Sequence, residues 1–232
     1  MVEQQPSKLN TWVRFPSPAP LLRTRALGDG EDRGHGTETT DRLLGRAGDD
    51  LLRGLGGGDL IRGGLGDDRL AGGAANDWLL GSNGRDLLGG GTGSDVLKGG
   101  AGNDRLFGGY ELDLLQGGTG DDRLSGGSGA DILEGRDGND RLVGGLSTDA
   151  LEGGAGRDVF VFGARDGDDR IRDWTPDEDR MNLSALGFDS RAEVLALAEQ
   201  DGDSVVLALA PGLTVTLVDT DLDGLQGRDL II

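Results

Sequence analysis

The chain has 232 residues, including 46 glycines, one histidine and no cysteine, and it carries a formal net charge of −19. Glycine is roughly three times as frequent as in average proteins, which excludes an ordinary globular composition, and the lack of cysteine excludes disulfides and thiolate ligands. The acidic charge argues against nucleic acid or an anionic membrane as partner and favours cations.

Residues 1–26 are predicted to form a disordered tail, because they hold four of the six prolines in the chain. They contain no unbroken apolar stretch and so do not read as a Sec-type signal peptide. No apolar run elsewhere in the chain approaches the ~18 residues of a membrane span.

A nine-residue unit then repeats thirteen times, without insertion or deletion, from Gly45 to Val161. Its pattern is G-G-x-G-x-D-x-U-x, where U is a large apolar residue, and its places are numbered one to nine below. Place six is aspartate in every copy: Asp50, Asp59, Asp68, Asp77, Asp86, Asp95, Asp104, Asp113, Asp122, Asp131, Asp140, Asp149 and Asp158. Place eight is Leu, Ile or Phe throughout, and degenerate copies extend back over residues 27–44.

The pattern resembles the RTX (repeats-in-toxin) family, also called hemolysin-type calcium-binding repeats. The resemblance implies an all-β fold over residues 27–161, a parallel β-roll that is a right-handed β-helix of these nonapeptides. In such a roll six residues of each unit turn around Ca²⁺ and three form a short strand, and two units complete one coil.

The residues support this picture on physical grounds. Glycine accepts the positive φ and close backbone approach of a tight turn, and calcium takes six to eight oxygens from carboxylates and carbonyls. Aspartates stacked one coil apart would repel each other by about 3 kcal/mol per pair at an effective dielectric near 20. A divalent cation between each pair turns this repulsion into attraction. The sequence therefore predicts a chain that is largely unfolded without calcium and compact with several ions bound.

The family resemblance also implies a ligand set. One turn offers the carbonyls of places two and four and its aspartate, and the next turn on that side offers the carbonyls of places one and three and its aspartate. One such ion would lie between Gly100, Gly102 and Asp104 on one turn and Gly117, Thr119 and Asp122 on the next. The other glycines assigned to ions in this way are Gly48, Gly64, Gly66, Gly84, Gly91, Gly93, Gly118, Gly120, Gly127, Gly129, Gly138 and Gly156.

The two sides of the roll differ at place four. On one side this place is always glycine, whereas on the other side every second turn has Ala75, Glu111 or Ser147 instead. If place four is left-handed, each such residue costs about 1–2 kcal/mol. The pattern predicts one strong and one weaker calcium column; the alternative is tolerated drift with full occupancy of both.

Place seven on the weaker side is apolar in successive coils, at Leu60, Trp78, Val96, Leu114 and Ile132. An apolar stripe on the outer face of a sheet usually needs a cover. We expect a homo-oligomer or a surface partner there; the alternative is β-propensity alone.

Residues 162–232 are predicted to form a small β-rich cap. Asp169 fits a last half-turn as a further ligand, residues 189–200 predict a helix capped by Ser190, and residues 204–218 predict a hairpin with a Pro211-Gly212 turn. The region resembles the C-terminal part of RTX proteins exported by type I secretion, whose signal is C-terminal and uncleaved. The alternative is a plain cap on the open end of the roll.

No catalytic motif accompanies the repeats. One histidine cannot supply H-E-x-x-H, and G-x-S-x-G does not occur. The sequence thus predicts a non-catalytic, secreted, calcium-binding repeat protein that uses the type I secretion machinery. Two alternatives remain: the tail of a longer secreted enzyme (protease, lipase or epimerase) or toxin, and a carbohydrate-binding module.

Overall fold

The structure, a computed structural model, describes residues 23–232. Over these residues the chain winds into a solenoid in which two sheets of mainly parallel strands face each other. Successive strands of the repeats alternate between the two sheets, so each pair of units completes one coil. The predicted parallel β-roll is confirmed.

The strands are β1 (Arg23–Ala26), β2 (Arg33–His35), β3 (Asp41–Ala47), β4 (Leu51–Gly56), β5 (Leu60–Leu65), β6 (Arg69–Ala74), β7 (Trp78–Asn83), β8 (Leu87–Thr92), β9 (Val96–Ala101), β10 (Arg105–Tyr110), β11 (Leu114–Thr119), β12 (Arg123–Ser128), β13 (Ile132–Asp137), β14 (Arg141–Leu146), β15 (Ala150–Ala155), β16 (Val159–Val161), β17 (Asp168–Ile171), β18 (Arg180–Asn182), β19 (Ala198–Asp201), β20 (Ser204–Ala210), β21 (Leu213–Leu217) and β22 (Leu230–Ile231). Within residues 23–232, helical structure is confined to α1 (Arg191–Leu195) and two 3₁₀ turns (Leu222–Gly224 and Gly227–Asp229).

The strands form two stacks, here called sheet A and sheet B. Sheet A has the order β1-β3-β5-β7-β9-β11-β13-β15-β17-β21-β20-β19, and sheet B has the order β2-β4-β6-β8-β10-β12-β14-β16-β18-β22. Neighbouring strands of the repeats pair in parallel at an offset of two units, as Leu106 pairs with Leu124 and Leu115 with Leu133. Stacking therefore places identical places of the repeat above one another.

The core between the sheets consists of the place-eight side chains. All thirteen, from Leu52 to Phe160, are at most 3% exposed. Because side chains alternate along a strand, places seven and nine point outward from each sheet. One apolar side chain per strand thus fills the narrow interior, which accounts for the low apolar content of the chain.

The strands are longer than the resemblance implies. Each of β4–β15 has six residues, from place seven to place three of the next unit, and only places four to six form the turn. In β10, Gly109 and Tyr110 pair with Gly127 and Ser128 of the following coil. The expected three-residue strands are thus corrected, because places two and three continue the inter-coil ladder beyond the bend at place one.

At the N-terminal end, the expected tail of residues 1–26 lies mostly outside the described residues. Its last four residues are strand β1, which pairs with the segment Asp41–Leu44 of β3. For these four residues the prediction of disorder is wrong, because they lie one coil before β3 and extend sheet A.

At the C-terminal end, the two sheets continue past residue 161. Strand β17 pairs with β15, and β18 pairs with β16. Strand β21 then pairs in parallel with β17, and β22 with β18. The cap is therefore built on the same two stacks as the repeats.

The predicted cap elements are partly confirmed. Ser190 accepts a hydrogen bond from the backbone N–H of Glu193 at 3.2 Å, as an N-cap should, and β20 pairs antiparallel with β21. The helix is shorter than expected, since Ala198–Asp201 pairs with β20 as strand β19. Residues 198–201 thus pair with the edge of β20 although their sequence pattern predicts a helix.

The apolar row of place seven lies in register on sheet A. Leu60, Trp78, Val96, Leu114 and Ile132 occupy equivalent positions of successive strands. Val96 is only 3% exposed and Trp78 is 47% exposed. The exposure of the row therefore varies from one strand to the next.

Within residues 23–232 no helix has the length and apolar character that crossing a membrane requires.

Candidate metal centre

The place-six aspartates form two columns along the two edges of the roll. In each column the backbone N–H of one aspartate donates to Oδ1 of the aspartate one coil later, as from Asp86 to Asp104 at 2.7 Å and from Asp104 to Asp122 at 2.7 Å. We name them the Asp104 column (Asp50, Asp68, Asp86, Asp104, Asp122, Asp140, Asp158) and the Asp113 column (Asp59, Asp77, Asp95, Asp113, Asp131, Asp149). Both columns are buried, with each side chain at most 3% exposed.

The second carboxylate oxygen of every column aspartate lacks a partner. All thirteen Oδ2 atoms are buried and accept no hydrogen bond, and Asp169 Oδ2 is in the same situation. A buried carboxylate oxygen without a hydrogen bond or a cation is costly. These oxygens are therefore the clearest sign that the columns suit a cation.

Place-one glycines show what surrounds these oxygens. A Cβ atom added to Gly99 would collide with Asp104 Oδ2 and lie 2.7 Å from the carbonyl oxygen of Gly117 on the next coil. The same pair of contacts, one carboxylate oxygen and one carbonyl oxygen, surrounds Gly90 and Gly108. Carboxylate and carbonyl oxygens thus converge at each turn.

This donor set fits a hard cation. Among residues 23–232, no three His, Cys, Asp or Glu side chains come together as a conventional metal cluster. A metal would instead be held by aspartate oxygens and backbone carbonyls, which are oxygen ligands of the kind that calcium accepts in irregular geometry. The residues present therefore fit calcium.

Burial raises the pKa of the column aspartates above its usual value near 4. Desolvation is the main cause; the N–H bond to Oδ1 lowers the pKa in part, and neighbouring carboxylates raise it for most of the column. The pKa rises to about 8 for Asp77, to about 7 for Asp59, Asp68, Asp86, Asp95, Asp113, Asp122, Asp131, Asp149 and Asp169, to about 6 for Asp140, Asp158 and Asp179, and is raised for Asp50 and Asp104.

These pKa values predict that the metal-free roll is more stable in acid than at neutral pH. A carboxyl whose pKa is higher in the folded than in the unfolded chain favours folding when protonated, and this contribution is lost as the pH rises from about 4 to about 7. We expect the β signal in far-ultraviolet circular dichroism of metal-free protein to grow as the pH falls from neutral to about 5. A signal that is constant or falls over this range would contradict the prediction.

Positive φ values occur at places two and four on both sides of the roll. Place four is left-handed at Ala75, Glu111 and Ser147, as the column hypothesis requires. However, place two is left-handed as well, and its non-glycine residues Arg46, Ser82 and Arg136 lie on the turns of the Asp104 column. Leu55 is the corresponding residue on the Asp113 side. Backbone strain is thus shared between the columns and does not by itself make one of them weak.

Place five supplies a second ladder that the sequence analysis missed. On the Asp104 side, Asp67 accepts a hydrogen bond from the Arg85 N–H at 2.8 Å, and Asp121 accepts one from the Asn139 N–H at 2.9 Å. On the Asp113 side the corresponding bond is from Ser94 to Asn76, at 3.0 Å. Asp or Asn at place five is the signal that could have revealed it. Because more of these hydrogen bonds lie on the Asp104 side, they support the turns of the Asp104 column more than those of the Asp113 column. Place four does not separate the two columns in this way.

The columns end differently at their two extremities. Asp169 continues the Asp113 column, because its Oδ1 accepts the Asp149 N–H at 2.9 Å and its Oδ2 has no partner. Asp179 ends the other column: it accepts the Asp158 N–H through Oδ1 and the Thr175 N–H through Oδ2. At the N-terminal end, Asp41 Oδ2 accepts bonds from the N–H and hydroxyl of Thr37. The participation of Asp179 was not expected, since it lies twenty-one residues after Asp158.

The structure thus brings together all thirteen predicted aspartates and the place-one glycines. The predicted carbonyl ligands lie on the same turns, at place two (Gly64, Gly91, Gly100, Gly118, Gly127) and place four (Gly48, Gly66, Gly84, Gly93, Gly102, Gly120, Gly129, Gly138, Gly156), with Gly117 at place one and Thr119 at place three. Their role as ligands remains a prediction.

Comparison with known proteins points to the same repeats. The family model described as RTX calcium-binding nonapeptide repeat (4 copies) matches at nine overlapping positions, from residues 28–61 to residues 134–171. No curated protein sequence matches the chain.

The solved structures to which the chain is similar include two subunits of an epimerase and a lipase. The solution structure of the AlgE6R3 subunit from the Azotobacter vinelandii mannuronan C5-epimerase is 33% identical, covers 53% of this chain and 78% of its own, and has a TM-score of 0.44. The AlgE6R2 subunit of the same epimerase is 28% identical, covers 50% of this chain and 91% of its own, and has a TM-score of 0.38. The extracellular lipase LipA from Serratia marcescens is 17% identical, with a TM-score of 0.40; the match covers 84% of this chain and 40% of the lipase.

Proposed function

Because the chain belongs to the RTX calcium-binding nonapeptide repeat family, we propose that it binds calcium ions along both aspartate columns and folds as it binds them. The observation that carries this proposal is the set of fourteen buried Oδ2 atoms without partners. A calcium ion at each turn would supply the positive charge that these carboxylates lack. The protein residues do the rest: the N–H bonds to Oδ1 orient the carboxylates, and the place-one glycines leave room for Oδ2.

Calcium chemistry distinguishes this site from one for magnesium. Calcium takes six to eight oxygens at irregular positions, whereas magnesium demands near-octahedral geometry and retains its waters. The turns offer carbonyls fixed by the backbone ladder and cannot rearrange into an octahedron. We therefore propose a site selective for calcium.

The number of ions should follow the number of partnerless oxygens, and Asp169 tests this rule. Asparagine at position 169 keeps an Oδ1 acceptor for the Asp149 N–H but removes the charged oxygen that lacks a partner. We expect Asp169→Asn to bind one calcium ion fewer than the wild type, measured by calorimetric titration of metal-free protein and by the calcium retained after dialysis.

Asp168→Asn is the matched control. Asp168 is the neighbouring residue and is exposed rather than part of the column. Its substitution removes the same charge, so the variant should bind as many ions as the wild type. Equal calcium content in Asp169→Asn and wild type would contradict the role of Asp169. A wild type that retains no calcium would overturn the proposed function itself.

The wider setting is also part of the proposal. We propose that the roll functions outside the cell, where calcium is abundant, after export by the type I secretion machinery with residues 162–232 as the recognised segment. The compact fold over these residues is compatible with this role once calcium is present. Fusion of residues 162–232 to an unrelated secretion-competent passenger, with and without the machinery, would decide the point.

The roll itself is proposed to be non-catalytic, since its buried carboxylates are assigned to metal. The alternative, a non-catalytic tail of a longer secreted enzyme or toxin, differs only in what precedes the roll. The sequence encoded upstream of residue 1 distinguishes the two. The expected homo-oligomer or surface partner on the apolar row of sheet A stays a prediction.

A further inference from the structure

The outer face of sheet B contains no acidic side chain along the repeats. Strands β4, β6, β8, β10, β12, β14 and β16 present places seven and nine outward, and these places hold five arginines and no Asp or Glu. The arginines are Arg53, Arg69, Arg105, Arg123 and Arg141. The whole chain has 42 acidic and 23 basic residues. An acid-free face with five arginines is therefore a local reversal of the charge of the protein.

Sheet A differs in carrying acidic side chains on its outer face. Its outward places hold Arg42, Arg62 and Lys98 in the N-terminal half, where Arg42, Arg46 and Arg62 border a groove, but Glu134 and Glu152 towards the C-terminal end. Glu134 accepts a hydrogen bond from Gln116 on the neighbouring strand, at 2.8 Å. Charges of both signs thus mix on sheet A, as expected for a solvated sheet surface.

The arginines of sheet B form no ion pair with the protein. Within residues 23–232, none of the five has a carboxylate partner within 4.0 Å or donates a side-chain hydrogen bond, although Arg69 lies close enough to Asp67 to help lower the pKa of that carboxyl. Arg105, Arg123 and Arg141 moreover lie directly opposite one another on adjacent strands. Like charges in such cross-strand positions destabilise a sheet. The face therefore costs stability that an external anion would recover.

A shallow groove borders the other two arginines of sheet B. It has a volume of about 380 Å³ and is bordered by Arg53, Arg69, Leu87 and Phe107. At its floor Gly89 has no side chain, and no atom lies within 4 Å of the position that a Cβ would occupy. Phe107 is 49% exposed and Leu87 is 38% exposed. The groove thus offers an apolar platform with two guanidinium groups at its border, and the row Arg105, Arg123 and Arg141 follows on the next strands.

We propose that this face binds a linear acidic polysaccharide whose sugar rings carry carboxylates. Arginine recognises carboxylates through two parallel hydrogen bonds, and the three adjacent strands β10, β12 and β14 present one arginine about every 4.8 Å. The apolar groove beside them suits the flat face of a sugar ring. This inference goes beyond calcium binding and assigns the roll a partner.

Charge density favours a polysaccharide over nucleic acid. Duplex DNA carries one negative charge per ~1.7 Å of axis, whereas neighbouring strands lie about 4.8 Å apart and present their arginines at that wider spacing. A polymer with a single charge per ring matches this sparse row better than the dense charge of a duplex. The flat, open form of the groove also suits a chain that extends past the site at both ends.

The test uses the full chain in saturating calcium with galacturonate oligomers that are too short to gel with calcium. Binding is measured by fluorescence anisotropy for the wild type, for Arg105→Ser with Arg123→Ser, and for the control Arg42→Ser with Arg62→Ser. Both double variants lose two positive charges from outward positions of adjacent strands, on opposite sheets. We expect the sheet B variant to bind about tenfold more weakly and the control to stay within about twofold of the wild type.

Calcium content and circular dichroism of each variant separate a failure of folding from a failure of this proposal. Equal losses in both double variants, or no binding by the wild type, would overturn the assignment of sheet B. Tighter binding of a DNA duplex than of the galacturonate oligomers by the wild type would overturn the choice of polysaccharide. Weakening of binding with added salt is expected as well, because the contacts are between exposed charges.

Discussion

At neutral pH, excess chelator is expected to convert the folded roll into a largely unfolded chain, and added calcium is expected to restore it. Without a cation, the two columns hold fourteen buried carboxylate oxygens that have no partner. The pKa of Asp77 is raised to about 8 and that of Asp95 to about 7. Ionising these groups at neutral pH therefore opposes folding.

The size of the effect follows from ligand linkage. One site at a calcium concentration of 100 times its dissociation constant stabilises the folded state by about 2.7 kcal/mol, and four such sites by about 11 kcal/mol. The net stability of a folded domain is only about 5–15 kcal/mol. Removal of several ions thus costs as much free energy as the whole net stability of a typical domain, and the core of this roll is only one apolar side chain wide.

Far-ultraviolet circular dichroism and sedimentation in chelator and in calcium measure this change. The transition should be steep in calcium concentration, because each coil contacts only its neighbours and folding of one favours the next. Magnesium at the same concentration is the control and should leave the chain unfolded. Equal β content and equal compactness in chelator and in calcium would show that the fold does not depend on metal.

The repeat register allowed most of the roll to be predicted from sequence. Aspartate at place six and a large apolar residue at place eight have different physical roles, and both recur without a gap from Asp50 to Phe160. The family resemblance implies two units per coil, and this number brings each aspartate above its equivalent. The buried columns and the leucine core follow from the spacing together with that resemblance.

The C-terminal end of the roll was less predictable. There the nine-residue period is lost, but the N–H to Oδ1 bonds between stacked aspartates continue. Asp169 follows Asp149 by twenty residues and Asp179 follows Asp158 by twenty-one. The additional residues lie in loops that do not disturb the stacking. A search for nine-residue spacing cannot detect such insertions. In the same way, the helical pattern after Ser190 could not reveal that β20 offers an edge for Ala198–Asp201.

Sequence inspection also treats all glycines of a repeat alike, whereas the structure separates them into classes. In the triplet Gly89-Gly90-Gly91, Gly91 has a φ of +120°. Gly90 is at place one, without a positive φ, but a Cβ there would collide with Asp95 Oδ2 and lie 2.7 Å from the Gly108 carbonyl oxygen. At Gly89 the added Cβ would have no atom within 4 Å. Place one is glycine in all thirteen units, whereas places two and four vary.

Alanine substitutions in this triplet are therefore expected to have opposite effects. Gly90→Ala places a methyl group where Asp95 Oδ2 lies, so it should destabilise the calcium-loaded roll by about 1–3 kcal/mol and weaken the ion site at Asp95. Gly89→Ala adds a methyl group in open space and restricts the unfolded chain, so it should stabilise the roll by about 0.4–1 kcal/mol. Both variants change one glycine to alanine in adjacent positions, so each serves as the control for the other.

Urea unfolding at a fixed, saturating calcium concentration measures both changes, and a calcium titration shows whether an ion is lost in Gly90→Ala. If both variants shift the midpoint in the same direction, place one is glycine for a reason other than the space required by Asp95. If Gly90→Ala loses stability but keeps every ion, then Asp95 Oδ2 has moved without releasing its calcium. In that case the metal does not hold the carboxylate against the backbone of place one. Loss of stability together with one ion would tie the glycine of place one to the aspartate of place six, the two places that never vary among the thirteen units.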